Sequence, residues 1–87
     1  MTRNYGELIA HANIAMLEKL NENGHKPSWE GYSFFDLLAW LEEEVTELHS
    51  AIITSTVEEI RREASDVMNY AAMIISKCDT VIKENQL

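Results

Sequence analysis

Apolar residues return at helical spacing in three stretches of the chain, separated by breaks rich in glycine or hydroxyl residues. In the first stretch Tyr5, Leu8, Ile9, Ala12, Ala15, Met16 and Leu20 recur at i, i+3 and i+4, the mark of an amphipathic helix. The spacing predicts a helix over residues 4–23. Asn4 is its N-cap, Glu7 holds the reciprocal capping-box position, and Asn23-Gly24 is its stop. In the second, Leu37, Leu38, Trp40, Leu41, Val45, Leu48, Ala51 and Ile52 predict a helix over 33–53, opened by Ser33. In the third, Ile60, Ala64, Val67, Ala71, Ile74, Ile75, Cys78, Val81 and Ile82 predict a helix over 57–83. Thr56-Val57-Glu58-Glu59 begins it with a T-x-x-E capping box. Only Thr54-Ser55-Thr56 separates the last two, so the chain doubles back there. The 87 residues are one all-α domain, a helical hairpin plus an N-terminal helix.

Carboxylates interrupt the apolar pattern in a regular way. Glu44 and Glu47 are spaced i, i+3, and so are Glu63 and Asp66, which puts each pair on one helix face. Folding the indices about residue 55 sets Glu47 opposite Glu63 and Glu44 opposite Asp66, so all four meet at one level. The same register sets Trp40 against Tyr70 and Leu37 against Met73, an aromatic and apolar floor beside the acids. Trp40, Glu44, Glu47 and Ala51 share one narrow sector of the helix, whereas Glu42 lies toward solvent. Four crowded like charges raise one another's pKa values and call for a cation. Oxygen ligands without thiolate or histidine suit Mg²⁺, or Mn²⁺, better than Zn²⁺. A di-iron bundle uses Glu-x-x-His pairs, and neither pair here has histidine in that place. The alternative is structural: salt bridges from these acids to Arg61, Arg62 and lysines. Arg61, Arg62, Ser65, Ser76 and Asp79 themselves fall on the solvated side of the third helix.

Residues 24–32 form the one substantial loop, and its chemistry is unusual for a connector: His25, Lys26, Trp29 and Tyr32. Two roles compete. Trp29 and Tyr32 close the end of the apolar core, or the loop reaches over a ligand with Lys26 near phosphate and Trp29 near a base.

Composition narrows the partners. A net charge of −8 argues against a nucleic-acid polymer, which needs Lys and Arg against its phosphates. A hydrophobic fraction of 46% is too high for disorder and implies an apolar face shared with a partner. Cys78 is the single cysteine, so an intrachain disulfide and a zinc–thiolate site are both excluded. No apolar run reaches the roughly 20 residues of a membrane span, and residues 1–5 lack the apolar centre of a signal peptide. The expected compartment is the cytoplasm, with no membrane contact.

The two-part motif Glu44-x-x-Glu47, then Glu63-x-x-Asp66, resembles the signature of the MazG-like all-α nucleoside triphosphate pyrophosphohydrolases. That superfamily includes dimeric dUTPases, dCTP pyrophosphatases and phosphoribosyl-ATP pyrophosphohydrolases. The local text around each half, Leu41 to Leu48 and Glu63 to Tyr70, is similar too, as is the His25-Lys26-x-x-Trp29 loop. The resemblance implies Mg²⁺ on Glu44, Glu47, Glu63 and Asp66. It implies cleavage of a (d)NTP between the α- and β-phosphates, and a homodimer or homotetramer that completes a four-helix-bundle core. Under it, Glu43 is a candidate to orient or deprotonate the attacking water, beside Glu44 and Glu47. Lys26, Trp29, Trp40, Asn69 and Tyr70 are the candidate substrate contacts, while Lys77 reads as a solvated lysine. The chain departs from larger relatives in having no separate base-recognition segment after the third helix. The competing class is a non-catalytic nucleotide-binding, oligomerisation or regulatory helical module.

Overall fold

The computed structural model describes residues 4–23 and 29–86, and these are all-helical, with no strand among them. Helix α1 spans Tyr5–Asn23, α2 spans Phe34–Thr54 and α3 spans Val57–Asn85; a single 3₁₀ turn at Trp29–Gly31 precedes α2. Every helix begins where a short polar side chain satisfies an orphan backbone donor. The Asn4 side chain accepts from the Glu7 amide at 2.9 Å, Ser33 Oγ from Asp36 at 3.0 Å, and Thr56 Oγ1 from Glu59 at 3.2 Å. At Ser55 the backbone turns extended, and its amide still bonds the Ala51 carbonyl at 2.8 Å, which ends α2 cleanly. The expected stop at Gly24 lies outside the described residues.

Helices α2 and α3 form the antiparallel hairpin, and α1 packs along α3 only: no Cα of α1 comes within 8 Å of α2 among the described residues. The 3₁₀ turn also settles on α3. Helix α3 is therefore the central element, clasped by a helix on each of two sides. Leu37 is fully buried and Ala51, Met73 and Ala15 nearly so. The interior ends there. Tyr5, Leu8 and Ile9, read from the sequence as the inward face of the first helix, are exposed, because α1 meets only one neighbour.

Several side chains that the helical pattern places in solvent turn out to be engaged, within α3 or with its neighbours. Ser65 is buried and donates to the Arg61 carbonyl at 2.8 Å. Ser76 accepts from the Trp29 indole at 3.1 Å. Arg61 and Arg62 bind Glu18 and Glu22 of α1, at 2.8 and 2.6 Å. Lys77, read as solvated, donates to the Glu30 carbonyl at 2.9 Å and lies over the Phe34 ring.

Candidate metal centre

The fold about residue 55 places α2 and α3 in the register that the acid pairs require. Ring contact fixes it independently: Trp40 and Tyr70 have centroids 6.1 Å apart, and Tyr32 meets Trp40 edge-on at 4.9 Å. One turn further along, carboxylate oxygens of Glu44, Glu63 and Asp66 lie within 4.8 Å of one another. Glu47 is more exposed, and its carboxyl is one of the neighbours that push Glu44 and Glu63 upward. Three of the four predicted ligands thus converge, with the fourth at the rim.

The electrostatics are those of a site short of positive charge. Burial first, then the adjoining Glu47 carboxyl and the Asp66 charge, raise Glu44 to about 7. Burial, then the Glu59 and Glu47 carboxyls, raise Glu63 to about 7. Burial also raises Asp66, although Lys19 opposes it. Among the described residues, three buried side-chain polar atoms lack a hydrogen-bond partner, and two belong to this cluster: Glu44 Oε2 and Glu63 Oε2. A buried acceptor left unpaired costs about 1–3 kcal/mol. A hard divalent ion would satisfy both, so the donor set fits Mg²⁺ or Mn²⁺.

The alternative, salt bridges from Arg61 and Arg62 to these four acids, is not seen among the described residues, since both arginines turn to α1. The cation that does reach it is Lys19, whose Nζ lies 3.5 Å from Asp66 Oδ2 with both side chains mostly covered. Sequence reasoning passed over Lys19. Its signal was its place at i+3 and i+4 from Met16 and Ala15, a lysine in line with the packed face of α1.

The remaining candidates divide into separate groups. Tyr70 borders the acids, and burial together with the Glu44 and Asp66 charges raises its phenol. Trp40 stacks against it. Glu43 is exposed, one position before Glu44. Trp29 and Asn69 line a different cleft of about 470 Å³, between α1 and α3, with Met16, Leu20 and Met73. Asn69 is buried there, its amide donating to the Met16 carbonyl at 3.2 Å while its Oδ1 has no partner. Lys26 lies outside the described residues. Of the loop residues described, Tyr32 packs on the Trp40 aromatic floor and Trp29 lines a cleft.

No protein-family model matches the chain, and no curated protein or solved structure does either.

Proposed function

We propose that the chain is a Mg²⁺-dependent nucleoside triphosphate pyrophosphohydrolase of the MazG-like kind, acting in the cytoplasm as a homodimer or homotetramer built on a four-helix core. The observation that carries this reading is the meeting of Glu44, Glu63 and Asp66 within 4.8 Å, with Glu44 Oε2 and Glu63 Oε2 unpaired. Glu44, Glu47, Glu63 and Asp66 would hold the ion. Mg²⁺, when bound, offsets triphosphate charge and lowers the pKa of a water. Water then attacks the α-phosphorus in line, and the α–β anhydride bond breaks to give NMP and pyrophosphate; such transfers rest on positioning and charge stabilisation. Glu43, exposed and next in sequence to Glu44, would orient that water or take its proton. The Trp40–Tyr70 pair offers an apolar wall next to the acids for sugar or base. Asn69 and Trp29 offer a second polar and aromatic pair in the cleft beside α1, and Lys26 is the loop cation assigned to phosphate.

One observation favours a second reading, a helical module that binds nucleotide or organises a complex without turnover. Lys19 already supplies Asp66 with a cation, so the cluster is partly held without an ion. Pyrophosphate release from a panel of (d)NTPs with Mg²⁺ separates the two. The hydrolase reading expects turnover that Glu47→Gln and Glu63→Gln abolish; turnover unaffected by either substitution rejects the site, and nucleotide binding with no pyrophosphate selects the second reading.

A further inference from the structure

The cleft between α1 and α3 shares no residue with the acid cluster. It encloses about 470 Å³, and none of Glu44, Glu47, Glu63 and Asp66 lines it. Its walls are Met16, Leu20, Trp29, Ala72 and Met73, with Asn69 the buried polar side chain among them. No charged side chain lines it, although a quarter of the chain, 25%, is Asp, Glu, Lys or Arg. A recess of this size, mostly apolar and with few polar groups, has the make-up of a small-molecule site.

Asn69 is the feature that points to a guest. It is only 6% exposed. Its amide donates to the Met16 carbonyl at 3.2 Å. A carbonyl can only accept, so that bond fixes which way the carboxamide is turned. Oδ1 is then left as a buried acceptor without a partner. Native folds satisfy nearly all such atoms, because an unpaired one opposes folding. The other two orphaned atoms are carboxylate oxygens, which a cation suits. An amide oxygen among methionine, leucine and indole side chains suits a neutral donor instead.

The rest of the cleft describes the body of that guest. The Trp29 indole N–H donates to Ser76 Oγ at 3.1 Å, which anchors the ring to α3 and uses its one donor. An anchored aromatic ring favours a flat partner. Met16 and Met73 share the lining with Asn69, and unbranched thioether side chains re-pack readily around a guest.

We propose that this cleft is a binding site for a free, uncharged, flat heteroaromatic molecule whose amino or ring N–H group donates to Asn69 Oδ1. Each property of the guest answers one of the cleft. It has no charge where no charged side chain lines the walls, a flat ring for Trp29, and a donor for the acceptor that lacks one. The site is separate from the acidic one. Two contacts tie α1 to α3 where the sites approach, Lys19 to Asp66 and Asn69 to Met16. The guest needs neither ion nor phosphate, so the proposal goes beyond the hydrolase reading and stands whether or not the chain turns nucleotides over.

Titration calorimetry in EDTA with an amino-substituted quinazoline, and with the methyl isostere that has its shape but no donor, tests it. The native chain is expected to bind the amino compound saturably and at least tenfold more tightly than the isostere. Asn69→Leu should erase that preference. Because Asn69→Leu can also loosen α1, Ala72→Phe fills the cleft with Asn69 in place, and should abolish binding while a cooperative melting transition remains. Glu63→Gln should bind the probe as the native chain does. No saturable binding to the native chain, equal affinity for the isostere, or binding that persists in a folded Ala72→Phe chain overturns the proposal. Binding that Glu63→Gln removes, or that dATP with Mg²⁺ displaces, makes the cleft part of the acidic site and overturns it as well. Pyrophosphate release, measured on the same protein, decides the hydrolase reading independently.

Discussion

The two sides of the α2–α3 hairpin are made from the same two helices and could hardly differ more. One side gathers Glu44, Glu63 and Asp66 under α1, with Lys19, Arg61 and Arg62 bridging to it. The other carries exposed apolar side chains, among them Leu38, Val45, Ile52, Ile75 and Ile82. On the first, burial is stopped by carboxylates with unpaired oxygens; on the second, apolar side chains stay exposed among the described residues. The lesson is that this fold is unfinished in two chemically distinct ways. One side calls for positive charge and the other for apolar cover.

The largest expected effect comes from the residue on which both sides depend. Leu37 is the fully buried side chain of the hairpin, so Leu37→Ala should cost about 2–5 kcal/mol and lower the thermal midpoint by well over 10 °C. Calorimetry at fixed protein concentration reads this, and a shift of only a few degrees would mean that the hairpin is held elsewhere.

Glu63→Gln should separate the sides. Pyrophosphate release falls by about 100-fold or more, some 2.7 kcal/mol, while sedimentation is unchanged. In the metal-free protein at pH 8 the same substitution should raise the melting temperature by a few degrees, because it removes a buried like charge.

The pH dependence has a definite sign. Glu44 and Glu63 sit near 7 in the fold against 4.5 in the open chain. The folded state therefore binds more protons between those values, and the stability of the metal-free protein falls as pH rises from about 4.5 to about 7. Melting in EDTA across that window should show the decline, and millimolar Mg²⁺ should flatten it by favouring the ionised carboxylates. A rising curve in EDTA would contradict the placement of these acids.

The smallest effects fall on the supports. Thr56→Ala removes the cap of α3 and should cost about 1 kcal/mol. Lys19→Met takes away the cation that competes for Asp66, so Mn²⁺ should bind a few-fold more tightly; weaker binding would make Lys19 a helper of the ion and not its rival.

Much of this was legible in the chain because it is local. Caps at Asn4, Ser33 and Thr56 announce the helices within a residue or two, and Ser55 sets the register that puts Trp40 on Tyr70. The acid cluster followed from that register, with Glu47 nearer the rim than spacing alone implied. What escaped depends on where α1 and the 3₁₀ turn come to rest. Ser65, Ser76 and Lys77 look like solvated helix positions until a neighbour more than forty residues away, or one turn of backbone, takes up their hydrogen bonds. Tyr5, Leu8 and Ile9 show the converse: a periodic apolar face states what a helix can bury, and only the number of its neighbours decides what it does bury.

Titration calorimetry with MnCl₂ on the native chain, Glu44→Gln and Glu63→Gln at pH 8 tests the central claim most directly. The account predicts saturable binding to the native chain and its loss in both variants. No saturable heat from the native chain, or an unchanged affinity in the variants, would show that the carboxylates meet for some reason other than a divalent ion.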